Sequence, residues 1–117
     1  MTGLSDVVRA LAARDGVEAV LLASAEGLPI DHAASTSFEP ETVAALSATL
    51  AQHATRLGAG AGRGEVAVMV IEYESGSVLL SRLGSSNWLA ILAHADADIG
   101  PLLHDVRQHG PALAALL

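Results

Sequence analysis

Apolar residues follow two different periods along the chain, and the change between them predicts the order of elements. Apolar residues at helical spacing predict a first helix: Leu4, Val7, Val8 and Leu11. Residues 17–24 are apolar almost throughout and predict a strand buried on both faces, so that layers should cover both sides of its sheet. A short second strand follows at residues 28–32, where Pro29 favours a strand edge or end because it lacks a backbone donor.

A long helix is predicted from Pro40 to about Leu57, where Gly58 ends it. Its larger residues are expected to face the core: Val43, Leu46, Leu50 and Leu57. A second stripe consists of small residues and is interpreted as a flat surface that receives another helix: Ala44, Ala48, Ala51 and Thr55. The alternative is that alanine is there simply as the best helix former.

Three strands are predicted next, at residues 65–73, 77–83 and 88–94, with short turns between them. Asp98 is expected to cap a last helix that Gly110 and Pro111 should kink or interrupt. The prediction is one domain over residues 1–117 of the α+β class, with three layers in the order α-β-β-α-β-β-β-α. The long second helix should cover one face of a five-stranded, mainly antiparallel sheet, and the first and last helices the other.

Composition narrows the classes of partner. The chain has 117 residues, of which 51% are hydrophobic, and a net charge of −7. This charge argues against nucleic acid and anionic membranes, which bind cationic surfaces. No apolar run approaches the ~20 residues of a membrane span, and no signal peptide is evident, so a cytoplasmic location without membrane insertion is expected. With no cysteine, disulfides and thiolate chemistry are excluded.

Three stretches together resemble the roadblock/dynein light chain family, in its bacterial type. The first is residues 16–30, which resembles the family's first hairpin with its turn Glu26-Gly27-Leu28-Pro29-Ile30. The second is Arg56-Leu57-Gly58 followed by Arg63-Gly64-Glu65, and the third is residues 95–100 before the last helix. The resemblance implies a homodimer in which the middle strand pairs with its copy and the two long helices pack side by side. It also implies a small Ras-like GTPase as partner.

The resemblance and the residue pattern together select candidate sites. The expected self-association residues are Ala44, Ala48, Ala51, Thr55, Val66, Val68 and Val70. The expected partner-contacting residues are Thr49, Gln52 and Arg56. The aliphatic strand from Val66 to Ile71 would be prone to aggregation if it were an unpaired sheet edge, which favours pairing with another copy.

No catalytic constellation is recognised in the sequence. The five histidines lack metal-binding spacing, and Asp31 and His32 should point to opposite faces of a strand, which excludes a direct dyad. Residues 58–64 match no phosphate-binding motif, and Arg56 and Arg63 are interpreted as a helix cap and a loop charge, not as arginine fingers. We therefore expect a non-catalytic module that regulates or scaffolds a GTPase, without cofactor or metal. The alternative is a sensor domain that binds a small ligand.

Overall fold

A computed structural model describes residues 3–117 as three helices and five strands. The elements are α1 (Leu4–Ala12), β1 (Val17–Ala23), β2 (Pro29–Ala34), α2 (Pro40–Gly60), β3 (Val68–Tyr73), β4 (Gly76–Leu83), β5 (Asn87–His94) and α3 (Ile99–Leu116). The predicted order of helices and strands is confirmed, and so is the α+β class.

The five strands form one antiparallel sheet in the order β2-β1-β5-β4-β3. β1 and β5 lie inside the sheet, and six of the seven residues of β1 are buried, as its continuous apolar run predicted. β2 and β3 are the two edges. Pro29 is the first residue of the edge strand β2, which confirms the prediction made from its missing donor.

One face of the sheet, called here the two-helix face, is covered by α1 and α3. α1 packs on β1 and β2, and α3 packs on β4. Large aliphatic side chains fill the space between the layers: Val8, Leu22, Leu79, Leu83, Ile91, Val106 and Leu113 are all at most 1% exposed. Burial of such side chains is the main stabilising contribution in a domain of this size.

The opposite face, called here the one-helix face, is covered by α2 alone, which lies mainly over β1, β2 and β5. Its buried cluster mixes a few large residues with alanines: Leu21, Ala23, Ala44, Ala51, Leu80, Trp88 and Ala90. α2 therefore lies toward one side of the sheet, away from the edge strand β3.

Several boundaries differ from the sequence prediction, most of them by one or two residues. β3 begins at Val68 and not at residue 65, and α2 continues past Gly58 to Gly60. Of the kink or interruption expected at Gly110 and Pro111, the interruption does not occur, since α3 runs to Leu116. Leu113, beyond the proline, is fully buried in the core, and this packing keeps the last turns helical despite the lost backbone bond. The predicted cap is confirmed, because the Asp98 carboxylate accepts a hydrogen bond from the Gly100 N–H at 3.2 Å.

Candidate interaction surfaces

The orientation of α2 differs from the expectation. Its small residues face the sheet of the same chain, where Ala44, Ala48 and Ala51 are 0%, 7% and 5% exposed. Its large residues Leu46, Leu50 and Leu57 point outward and are 58%, 39% and 74% exposed. The prediction that these leucines pack in the core is therefore wrong, and the alanine stripe is not an open surface.

Close approach of α2 to the turn between β1 and β2 explains this orientation. A side chain on Gly27 would place its Cβ 3.0 Å from the Cα of Ala45 and 3.3 Å from the Cβ of Ala48. Gly27 also has a φ of +86°, which a residue with a side chain adopts only with strain. Only a helix surface of alanines can come so near to the sheet, so the small stripe turns inward and the leucines turn away.

The outward leucines form one continuous side of α2, called here the leucine flank (Leu46, Leu50 and Leu57). Their separations of four and seven residues place them on the same side of the helix. Val43, on the same side one turn earlier, is half-buried against the one-helix cluster. The flank therefore borders the part of the one-helix face that α2 leaves uncovered.

The edge strand β3 adds apolar side chains to this uncovered area. Met69 packs against the one-helix cluster, so the alternation of a strand places Ile71 and Tyr73 on the same face. Ile71 is half-buried and Tyr73 is 60% exposed. Exposed large apolar side chains on a helix and on an edge strand of the same sheet face are together typical of an association surface.

The backbone of β3 also presents unpaired groups at the free edge. The N–H of Arg82 donates to the carbonyl of Ala67 at 3.0 Å, which makes these two residues a hydrogen-bonded pair. Because such pairs alternate along an antiparallel ladder, the backbone groups of Val68, Val70 and Glu72 point away from β4. Six consecutive residues pair in regular register, which leaves a straight template for another strand.

The other edge is less suited to pairing. β2 begins with Pro29, which offers no backbone donor, and its register to β1 shifts between Leu22 and Ala23. Irregularities of this kind protect a sheet edge from a second strand. The remaining predicted self-association residues lie near β3: Val66 and Val68 are half-buried against the two core clusters, and Val70 is 40% exposed.

A second exposed side of α2, next to the leucine flank, carries the predicted partner residues Thr49, Gln52 and Arg56. The Thr49 hydroxyl donates to the carbonyl of Ala45 at 3.1 Å, within its own helix. Gln52 and Arg56 line a cleft with Thr55, whereas Thr49 does not. The structure thus brings two of the three residues together and leaves Thr49 one turn away.

Possible catalytic groups are separated. Asp31 accepts a hydrogen bond from the Ser5 hydroxyl of α1 at 2.9 Å, while the ring of His32 packs edge-on against Phe38 with centroids 5.6 Å apart. The side chains of Asp31 and His32 therefore make different contacts and form no catalytic dyad. Within residues 3–117, no group of three or more His, Cys, Asp or Glu side chains could hold a metal ion. No helix in the same range is long and apolar enough to cross a membrane.

The sequence profile of the Roadblock/LC7 domain matches residues 4–93, from α1 to the end of β5. This chain belongs to the Roadblock/LC7 family. The resemblance found in its turns and strands is therefore confirmed. No curated protein sequence matches the chain significantly.

Several solved structures share the fold of this chain at low sequence identity. MglB of Myxococcus xanthus superposes with a TM-score of 0.89 at 18% identity, over 97% of this chain and 93% of that one. A structure of MglB with a tetrameric arrangement has a TM-score of 0.90 at 19% identity, over 97% and 86% of the two chains. A Roadblock/LC7 domain from Streptomyces avermitilis has a TM-score of 0.82 at 24% identity, over 97% and 93%. The roadblock fold thus extends over nearly the whole chain, α3 included.

Proposed function

We propose that this chain is a homodimeric, non-catalytic interaction module that regulates or scaffolds a small Ras-like GTPase. The observation that carries the proposal is the uncovered part of the one-helix face. The leucine flank of α2 and the free edge of β3 both border that uncovered part, on a chain whose other face is closed by two helices. Membership of the Roadblock/LC7 family agrees with an interaction role.

For self-association, we place pairing on β3, through the outward backbone groups of Val68 and Val70, with Val66 at its start. A two-fold axis beside this strand would join two sheets into one and bring the two leucine flanks toward each other. The expected contribution of Ala44, Ala48 and Ala51 becomes indirect: they seat α2 on its own sheet, and the leucines then face the second copy. The tetrameric arrangement of an MglB structure agrees with self-association through this fold.

For the GTPase, we place the contact on the exposed side of α2 that carries Thr49, Gln52 and Arg56. None of these three residues belongs to the leucine flank, so we expect this side to stay accessible when two copies associate. Among the residues that the structure describes, Arg56 forms no ion pair, which leaves its guanidinium available to an acidic group of the partner. Regulation without catalysis would then act through binding alone.

Self-association is tested by the mass in solution of wild type and of single Leu→Glu variants. We expect Leu57→Glu, and likewise Leu46→Glu, to give the monomer mass at micromolar concentration, because a buried unpaired carboxylate opposes the contact between helices. The matched control is Leu28→Glu, at a leucine that is 64% exposed but lies beside β2 at the opposite edge. A monomeric wild type, or equal dissociation by Leu28→Glu, would refute the proposed surface.

Partner binding is tested with the immobilised chain and native cytosol, in the presence of GTP or GDP. We expect recovery of a small GTPase that depends on the nucleotide, followed by direct binding of the purified GTPase. Gln52→Ala combined with Arg56→Ala should weaken that direct binding at least about tenfold. The control is Arg107→Ala, at an exposed residue of α3 on the two-helix face, and this variant should bind like wild type. If no GTPase binds in either nucleotide state, the GTPase proposal fails while the mass measurement still decides self-association.

A further inference from the structure

A cleft of about 460 Å³ opens between the C-terminal half of α2 and the turn that joins β4 to β5. Its walls come from four separate segments: the β1–β2 turn, the C-terminal half of α2, residues 65–66 before β3, and the β4–β5 hairpin. These segments are distant in the sequence, and no sequence motif marks their convergence on one cleft.

The cleft collects positive charge in an acidic protein. The chain has a net charge of −7, yet two of its six basic residues, Arg56 and Arg82, line this cleft. A guanidinium group presents a planar fork of donors that matches a carboxylate or a phosphate. Ser85 and Ser86 add hydroxyl groups and Gln52 an amide, so the polar lining is suited to an oxyanion.

The cleft already holds one carboxylate, which comes from the chain itself. Glu65 forms an ion pair and hydrogen bond with Arg82. This pair is open to water, since the Glu65 side chain is 73% exposed, and pairs of this kind contribute little to stability. The backbone before it is held against the end of α2, where the Arg63 N–H donates to the Gly58 carbonyl at 2.8 Å, so the pair would open by rotation of the exposed Glu65 side chain.

We propose that this cleft binds an oxyanion, a phosphate or carboxylate group, between Arg56 and Arg82, and that Glu65 competes for the same place in the free chain. Arg56 supplies the guanidinium that has no ion-pair partner among residues 3–117. Arg82 supplies the second after Glu65 leaves. The inference does not depend on a GTPase partner, because it concerns a small anion and a single chain.

Trp88 provides a direct readout. It is the one tryptophan in the sequence and it lines the cleft, so its fluorescence reports on binding there. The full-length chain is titrated with inorganic pyrophosphate in one series and with citrate in another. We expect a saturable change with a Kd on the order of 1 mM, weakened by added salt. Saturation by pyrophosphate alone assigns phosphate, by citrate alone carboxylate, and by both an oxyanion of either kind; no saturation by either overturns the proposal.

Variants separate this cleft from general charge effects. Arg56→Gln should weaken binding about tenfold, whereas Arg107→Gln, with the same charge change on the other face of the sheet, should leave it unchanged. Glu65→Gln should tighten binding several-fold because it removes the competitor, and Glu74→Gln in the β3–β4 turn is its control. Far-UV circular dichroism shows that each variant is folded. Equal effects of the two arginine variants, or a Glu65→Gln variant no tighter than wild type, would overturn the proposal.

Discussion

The two faces of the sheet are built from different residues. On the two-helix face, leucine, isoleucine and valine from both layers meet, and side chains such as Leu22 and Leu113 are fully buried. On the one-helix face, α2 meets the sheet largely through alanine, and its own leucines lie outside. The two-helix face therefore buries its apolar side chains within one chain. The one-helix face leaves large apolar side chains exposed, because nothing within residues 3–117 of the same chain covers them.

The difference shows that a helix of mixed apolar residues need not bury its largest ones. Exposed leucines lose the free energy that burial would give them, about 25 cal/mol for each Å² of apolar surface. On the two-helix face that contribution is already made in the isolated chain. On the one-helix face it remains available, and association of two copies would recover it.

The largest effect is expected from Leu22→Ala on the two-helix face. Leu22 is fully buried, so the substitution leaves a cavity and should lower the free energy of unfolding by about 3 kcal/mol. Urea unfolding at fixed protein concentration measures it. Leu28→Ala, at an exposed leucine, is the control and should change the free energy by less than about 0.5 kcal/mol. A similar loss of unfolding free energy in both variants would contradict the distinction between buried and exposed leucines.

Ala44→Leu tests the alanine contact of the one-helix face. Ala44 is fully buried between α2 and the sheet, and Gly27 shows how little space lies between the helix and the turn. Overpacking should therefore cost about 2 kcal/mol in the free energy of unfolding, measured as above. Ala59→Leu, at an exposed position of the same helix, controls for the change in composition. Wild-type stability of Ala44→Leu would mean that α2 can move away from the sheet without loss.

The elements, their order and the layers are predictable from the sequence, because strands and helices differ in period and the turns carry glycine and proline. The side of α2 that faces the sheet is not. Ala44 and Leu46 belong to two different apolar stripes at helical spacing. Side-chain size alone favours burial of the stripe that contains the larger residues. The deciding contact is the approach of Gly27 to Ala48, which joins distant parts of the chain and leaves no local pattern.

The cleft residues could not be grouped from sequence for the same reason. Arg56 and Arg82 lie on different elements, α2 and β4, and line the same cleft only through the packing of these elements. The continuous α3 is a comparable case: Pro111 predicts a break locally, and burial of Leu113 overrides it. Local patterns therefore predict the elements, whereas packing between elements decides which face is buried and which helix continues.

Val70→Pro tests the open edge with a smaller effect on folding. The Val70 N–H points away from β4, so proline removes a donor at the free edge and leaves the β3–β4 ladder intact. We expect the monomer mass by light scattering, with the far-UV circular dichroism of the wild type. Val70→Thr keeps the donor and should keep the wild-type mass. A Val70→Pro variant that still associates would exclude β3 pairing.

The smallest effect on stability is expected at the start of α1, where the contacts are exposed and lie outside both buried clusters. The Gly3 N–H donates to the Asp6 carboxylate at 3.1 Å, and the Arg9 guanidinium donates to the same carboxylate at 2.9 Å. These two contacts hold the pKa of Asp6 below its ordinary value of 3.8. A depressed pKa stabilises the fold above the ordinary value, and that contribution is lost as the pH falls through the lower, folded pKa.

Asp6→Asn should therefore unfold at slightly lower urea than wild type at neutral pH, and the difference should vanish in acid. Urea unfolding at a series of pH values measures it. Asp15→Asn, outside the helix, is the control and should follow wild type at every pH. A difference between Asp6→Asn and wild type that persists in acid would show that the charge of Asp6 is not its cause.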